Sequence, residues 1–177
     1  MIRTVGISEM FISRDPLDVI VTYSLGSCLG VTLYDPVARV GGMIHAMLPE
    51  SSIAPEIAVA QPCRFVDTGI PRLFKESYKL GAKKERLIVT AAGGASGRNS
   101  GDDDLFQIGR RNIVMLRKLF WKNGIILKSS DLGGHATRTV TLFMSDGHVS
   151  VISNAERNAL TAALERQKAS AEMASTT

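Results

Sequence analysis

Two side chains in the first third of the chain have the types and spacing for covalent chemistry. Cys28 lies in Thr22-Tyr23-Ser24-Leu25-Gly26-Ser27-Cys28-Leu29-Gly30, between small residues at the start of an extended segment. Gly26 and Gly30 remove side chains on both sides, so another backbone or a substrate can come close. Successive N–H groups around Gly26, Ser27 and Cys28 can form an anion-binding concavity. A thiolate there has an oxyanion site supplied by the main chain. The ordinary alternative is a small, buried, inert thiol. His45 adds a base. Asp35-Pro36-Val37-Ala38 has Asp at the first turn position and Pro at the second, a type I turn signal. With those four residues as the loop, Tyr34 pairs with Arg39, and further along the hairpin Cys28 opposes His45. Directly opposed residues share a face, with Cβ atoms about 4.5–5.5 Å apart. At that separation an imidazole can take the proton of a thiol. The pairing depends on register: a three-residue turn, or a bulge at Gly41-Gly42, sends His45 to the other face.

A third group has to orient the imidazole. The nearby hydroxyls are Thr22, Ser24 and Ser27; the nearby acids, Asp35 and Glu50, fall in expected turns. By residue type alone Thr22 reads first as an ordinary strand threonine, so the orienting group stays open. Other candidates carry less. Cys63 follows Pro62 near an expected helix start but has no histidine or glycine nest beside it, and reads as structural. His135 and His148 fall in a loop and near a hairpin, and read as exposed. Asp102-Asp103-Asp104 lacks the spaced ligands and closing Glu of an EF-hand, and reads as a solvated loop. Gly93-Gly94-Ala95 and Gly133-Gly134 match no phosphate-binding fingerprint and read as tight turns. Gly26-Ser27-Cys28-Leu29-Gly30 also fits a thiol version of the nucleophile elbow, which requires a helix directly after the nucleophile.

The elements that must position these residues are legible in outline. Residues 2–7, 18–24, 29–34 and 40–48 are β-type, and 50–61 reads as a surface loop. Residues 62–80 follow a helical pattern with Val66, Ile70, Leu73, Phe74 and Ser77 on one side, stopped by Gly81. Pro71 implies a kink or a start near Gly69. A strand at 87–91 precedes a polar loop at 96–106. A second helix over 107–122 turns Ile108, Asn112, Met115, Leu116, Leu119 and Phe120 inward, and Asn123-Gly124 ends it. Strands follow at 125–129, 138–144 and 148–152, the last two joined by a tight hairpin at Asp146-Gly147. From Asn154 a helix runs to about Ala169, with an apolar stripe of Ala159, Leu160, Ala163 and Leu164, and then a frayed end at Ser175-Thr176-Thr177. Hairpins outnumber βαβ units. The fold class is therefore α/β of α+β character: a layered sandwich of mixed, mostly antiparallel β-sheet with helices outside. Residues 1–153 form one catalytic domain and 154–177 a helical extension.

Composition bounds the function. The 177 residues are 45% apolar and 21% charged, a globular balance. Their 21 basic and 17 acidic residues give a net charge of +4. Without a dense Lys/Arg run or an aromatic series this is no nucleic-acid signature. No apolar run reaches the roughly 18 residues of a membrane span, and no signal segment opens the chain. The expected location is the cytoplasm, without membrane insertion. Two cysteines make neither a disulfide framework nor a Cys-rich zinc site, and no metal or other cofactor is expected.

The segments Leu25-Gly26-Ser27-Cys28, Tyr34-Asp35-Pro36 and Gly41-Gly42-Met43-Ile44-His45-Ala46-Met47-Leu48-Pro49 closely resemble the CheD family of chemoreceptor glutamine deamidases. Val66-Asp67-Thr68, Gly93-Gly94-Ala95, Ile108-Gly109-Arg110-Arg111-Asn112 and Asp131-Leu132-Gly133-Gly134 continue the likeness to about residue 152. The resemblance implies a catalytic set of Cys28, His45 and Thr22, with Gly26 and Ser27 as backbone support. It also implies a sandwich similar to a deamidating bacterial toxin domain. The implied activity is deamidation of glutamines in the helical cytoplasmic region of methyl-accepting chemotaxis proteins, without a cofactor. It further implies a CheC-type phosphatase as a partner. The alternatives are a regulatory adaptor for that phosphatase with an idle Cys28, and another thiol hydrolase or methylesterase. Lys128-Ser129-Ser130-Asp131 stands where the family is more acidic, and the tail after Asn154 is longer than the family's.

Overall fold

The structure, a computed structural model, describes residues 1–96 and 106–175. The strands are β1 (Ile2–Thr4), β2 (Met10–Ser13), β3 (Val19–Leu25), β4 (Leu29–Asp35), β5 (Val40–Ala46), β6 (Ile88–Gly93), β7 (Ser129–Leu132), β8 (Arg138–Phe143) and β9 (Val149–Ser153). The helices are α1 (Pro55–Ala60), α2 (Val66–Lys79), α3 (Ile108–Asn123) and α4 (Asn154–Ser175). Four strands make one sheet in the order β1-β3-β8-β9; five make the other in the order β2-β5-β4-β6-β7. Pairing is antiparallel except for β1 with β3 and β6 with β7. This is the expected layered sandwich of mixed sheet.

The period of two in a strand explains the layers. Leu29, Val31 and Leu33 of β4, with Ile44 and Ala46 of β5, face α2 and α3 and share a core with Val66, Ile70, Leu73, Phe74, Leu116 and Phe120. The alternate residues Tyr34, Met43 and Ala92 face the other sheet and pack with Val5, Ile20, Leu25, Val140, Leu142 and Met144. The five-stranded sheet is thus covered on both sides, and every residue of β4 and β5 is buried. Each fully buried large apolar side chain contributes roughly 1.5–3 kcal/mol, and this central pair collects that gain on both faces. Among the described residues no helix is long and apolar enough to cross a membrane.

The helical faces of α2 and α3 are as their periodicity predicts. Val66, Ile70, Leu73, Phe74 and Ser77 are buried, as are Asn112, Met115, Leu116 and Phe120; Ile108 and Leu119 are half-buried. Gly124 takes a left-handed φ of 59° and ends α3. Several boundaries differ from expectation. α2 begins at Val66 and runs through Pro71, because its buried face outweighs one lost backbone donor. Residues 50–61 contain a short 3₁₀ turn and α1, with Pro55 at the first helical position, where its missing N–H costs nothing. The chain at 125–127 is not a strand. Ile125 and Leu127 pack against the helical core, and β7 starts at Ser129, where the Thr90 and Ser129 hydroxyls meet at 3.0 Å. β1 is shorter than expected, and β2 arises only because β5 offers it an open edge, with Met10 opposite Ile44. The Asp146-Gly147 connection is not a two-residue turn: the Gly147 and Phe143 N–H groups bond to the Phe143 and His148 carbonyls, enclosing residues 144–147. α4 extends beyond Ala169 to Ser175; Thr176 and Thr177 lie outside the described residues, as does the Asp102-Asp103-Asp104 loop.

The β4–β5 register is also corrected. Asp35 pairs with Val40 and Tyr34 with Gly41, so the turn is Pro36–Arg39 and Gly30, not Cys28, stands directly opposite His45. Asp35 is drawn into the strand because its buried carboxylate accepts the N–H groups of Val37, Ala38 and Lys83 and the guanidinium of Arg86. The slip is two residues, so it preserves the face.

Candidate active site

Thr22 and His45 meet between the sheets, and Cys28 lies on the same face of the central hairpin as His45. His45 stands in β5 on the inner face, beside Met43. Its backbone is pinned on the β2 side: its N–H donates to the Glu9 carbonyl at 3.0 Å, and its carbonyl accepts the Ser8 N–H at 2.8 Å. Cys28 sits just before β4, two residues from Gly30 and therefore diagonal to His45 on the same face. It is half-buried and packs against the inter-sheet core, and its thiol is free. Gly30 leaves the space between them without a side chain. A Cβ there would lie 2.6 Å from Leu25 Cδ1 and 3.6 Å from Thr22 Cγ2, so β3 approaches β4 closely at this point.

Thr22 and Leu25 are both fully buried although three residues apart. A plain strand would send them to opposite faces. A bulge between them, with Ser24 at a φ of 56°, shifts the register against β8 and turns both inward. Thr22 Oγ1 lies 2.8 Å from His45 Nδ1 and donates its hydrogen to the Val5 carbonyl at 2.7 Å. A hydroxyl has one hydrogen. With that hydrogen on Val5, Nδ1–H must donate to Oγ1, and the lone pair of the neutral ring sits on Nε2. Nε2 is buried and has no hydrogen-bond partner among the described residues. This is the tautomer that a general base toward a thiol requires.

Burial pushes the Cys28 thiol up, partly offset by its own backbone N–H, and pushes the His45 imidazole down. Both shifts favour the uncharged forms, so the resting pair is thiol and imidazole.

The nucleophile loop is held from behind. The carbonyls of Gly26, Ser27 and Cys28 accept from Ala95 N–H at 2.8 Å, Asn112 Nδ2 at 2.8 Å and Gly94 N–H at 2.9 Å. In a trans peptide the N–H points opposite to the C=O, so these ties turn the Ser27 and Cys28 N–H groups away from the Gly94-Ala95 turn and α3. Main-chain N–H groups so placed can serve as donors to an oxyanion beside the thiol. Gly93 packs on this loop at a φ of 110°, and a Cβ there would come within 2.1 Å of the Cys28 carbonyl.

The other sequence candidates lie elsewhere. Among the hydroxyls considered, the one at Nδ1 is that of Thr22; Ser24 is exposed in the bulge. Asp35 is committed to Arg86, and the Glu50 carboxylate accepts from the Ser52 hydroxyl. Cys63 is buried in the helical core, and His135 and His148 are exposed. Cys28 leads into a strand, so the helix demanded by a nucleophile elbow is absent. An apolar groove of about 340 Å³ between α2 and α3 includes none of Thr22, Cys28 or His45. Three contributors escaped the sequence reading: Val5, the Gly93-Gly94 turn and Asn112. Asn112 left a signal as a polar residue on the apolar face of α3, and the Gly93-Gly94 turn was read only as a tight turn; Val5 left none.

The fold and site together define an α+β sandwich with a hydroxyl bonded to an imidazole between its sheets and a thiol on the same face of the central hairpin. The family model described as CheD chemotactic sensory transduction matches residues 47–153. A probable chemoreceptor glutamine deamidase CheD 1 of Syntrophus aciditrophicus is 47% identical over 150 residues, covering 85% of this chain and 92% of the relative. A probable chemoreceptor glutamine deamidase CheD of Solibacter usitatus is 42% identical over 156 residues, 88% and 91% of the two chains. A probable chemoreceptor glutamine deamidase CheD of Pyrococcus abyssi is 41% identical over 145 residues, 82% and 87%. The chain belongs to the CheD family.

Proposed function

We propose that this protein is a chemoreceptor glutamine deamidase, a protein-glutamine glutaminase, with Cys28 as nucleophile, His45 as base and acid, and Thr22 as the group that orients His45. The observation that carries the roles is the chain Val5 carbonyl, Thr22 Oγ1, His45 Nδ1, at 2.7 and 2.8 Å, which leaves the Nε2 lone pair free on a ring that shares a face of the sheet with Cys28. Nε2 takes the thiol proton as Sγ bonds to the side-chain amide carbon of a glutamine. The carbonyl oxygen becomes an oxyanion held by the Cys28 and Ser27 N–H groups. The C–N bond breaks as His45 returns the proton to the departing nitrogen, and ammonia leaves a thioester. Neutral His45 then takes a proton from water, whose oxygen adds to the thioester carbon. The C–S bond breaks, Sγ recovers a proton from His45, and glutamate is released.

The substrate proposed is the helical cytoplasmic region of methyl-accepting chemotaxis proteins, and the place of action is the cytoplasm. Each turnover makes one neutral side chain a carboxylate, altering receptor charge and creating a methylatable residue. A CheC-type phosphatase is the second partner. The test is peptide mass spectrometry of a chemoreceptor cytoplasmic fragment after incubation with the wild type and with Cys28→Ala. Gln-to-Glu mass gains with the wild type alone support the reading. Equal gains with Cys28→Ala sink the nucleophile, and no gain with either across a receptor panel turns the reading to regulatory binding of the phosphatase.

A further inference from the structure

Asn112 is a fully buried polar residue on the apolar face of α3. Its amide nitrogen donates both hydrogens to main-chain carbonyls distant in sequence, Ser27 at 2.8 Å and Met47 at 3.0 Å. With a carbonyl on each side, nitrogen rather than oxygen must face them, so the orientation of the amide is set. Ser27 precedes the thiol by one residue, and Met47 follows the imidazole by two. One side chain from the helical layer thus ties together the segments that carry the nucleophile and the base. Gly109, one turn earlier in α3, allows this reach: a Cβ there would lie 2.4 Å from the Ala95 carbonyl and 2.6 Å from the Gly94 carbonyl. The helix therefore rests directly on the turn that also holds Cys28.

We propose that Asn112 is a positioning residue for the reaction, holding the Ser27–Cys28 peptide so that the Cys28 N–H faces the oxyanion; this rests on the nucleophile role proposed for Cys28. The Ser27 carbonyl and the Cys28 N–H belong to one rigid peptide unit. Releasing the carbonyl lets that unit rotate, which removes the donor from the place where negative charge develops without touching the thiol itself.

The role makes a distinction that simple scaffolding does not. Acylation of Cys28 by p-nitrophenyl acetate passes through a tetrahedral oxyanion. Alkylation of the same thiol by iodoacetamide is a displacement at carbon with no oxyanion. Both rates are read at the Cys28 peptide by mass spectrometry, on gel-filtered folded protein, for the wild type, Asn112→Ala and Asn112→Ser. The serine variant is the milder packing change and keeps the comparison if alanine impairs folding. The expected result is an acylation rate reduced at least about tenfold while alkylation stays within about threefold, a part of the roughly 10²–10³ lost when an oxyanion donor is deleted outright. An unchanged ratio of the two rates, whether both hold or both fall together, overturns the positioning role. Failure of the nucleophile assignment looks different: Cys28→Ala retains deamidation of the receptor fragment.

Discussion

His45 depends on one hydroxyl. The Thr22 hydroxyl is committed to Val5 and accepts from Nδ1, so the ring is fixed in position and in tautomer. Thr22→Val keeps the shape of the side chain and removes both bonds. Expected is a fall in kcat of about 10- to 100-fold, part of the roughly 10²–10⁴ that a positioned base supplies, with KM little changed; steady-state deamidation kinetics on a receptor fragment measure it. The same residue sets a pH dependence. Burial lowers the pKa of His45, so the neutral base survives to more acidic pH than an ordinary histidine allows. The acid limb of kcat/KM in the wild type should have its midpoint below about 6.5. A midpoint above that value contradicts His45 as a buried neutral base.

At the scale of elements, the site exists because a bulge, a tight turn and a helix converge on the start of β4. Gly93 and Gly26 separate the roles of two glycines in this convergence. Gly93 has a φ of 110°, and a Cβ there collides with the Cys28 carbonyl at 2.1 Å, whereas a Cβ on Gly26 finds its nearest neighbour, Thr137 Cγ2, at 3.8 Å. Gly93→Ala should destabilise the fold by about 1–3 kcal/mol from backbone strain alone, and should reduce turnover by displacing the nucleophile loop. Gly26→Ala should unfold within about 0.5 kcal/mol of the wild type. Urea unfolding of both variants measures the difference, and equal stabilities would contradict the packing described here.

For the whole molecule, acid stability rests in part on Asp35, at the far end of the central hairpin from Cys28. Despite the opposing effect of burial, the Arg86 guanidinium and the N–H groups of Ala38, Lys83 and Val37 hold its carboxyl down at about 2. The unfolded chain binds that proton near about 3.9. A depressed native pKa means that the contribution to stability is complete above the unfolded value and is lost as pH falls from about 4 toward 2. Thermal melts should therefore show a steep drop in Tm across that interval. Asp35→Asn should have a lower Tm at neutral pH, because Arg86 is left unpaired, and a shallower acid slope. Asp18, bonded to Ser13 and beside Arg3 and the N-terminal amine, is also held low and adds to the same drop.

Much of this was legible from local pattern. Residue types set the helical faces of α2 and α3, the β4–β5 hairpin, and the placing of a thiol and an imidazole on one face of it. That last inference survived a register error because a slip of two residues returns every side chain to its original side, a consequence of the strand period. What the sequence could not determine were contacts between segments far apart in the chain. Asn112 meets Ser27 across 85 positions and Met47 across 65, and Thr22 finds Val5 across 17. No periodicity encodes such pairs. β2 likewise exists because β5 has an open edge, and Gly93 matters because of the backbone it lies against. Local sequence determined which residues face inward, since that follows from the geometry of each element. Tertiary structure alone decided which inward groups meet, since packing the sheets and helices together is what brings distant hydrogen-bond donors and acceptors within reach.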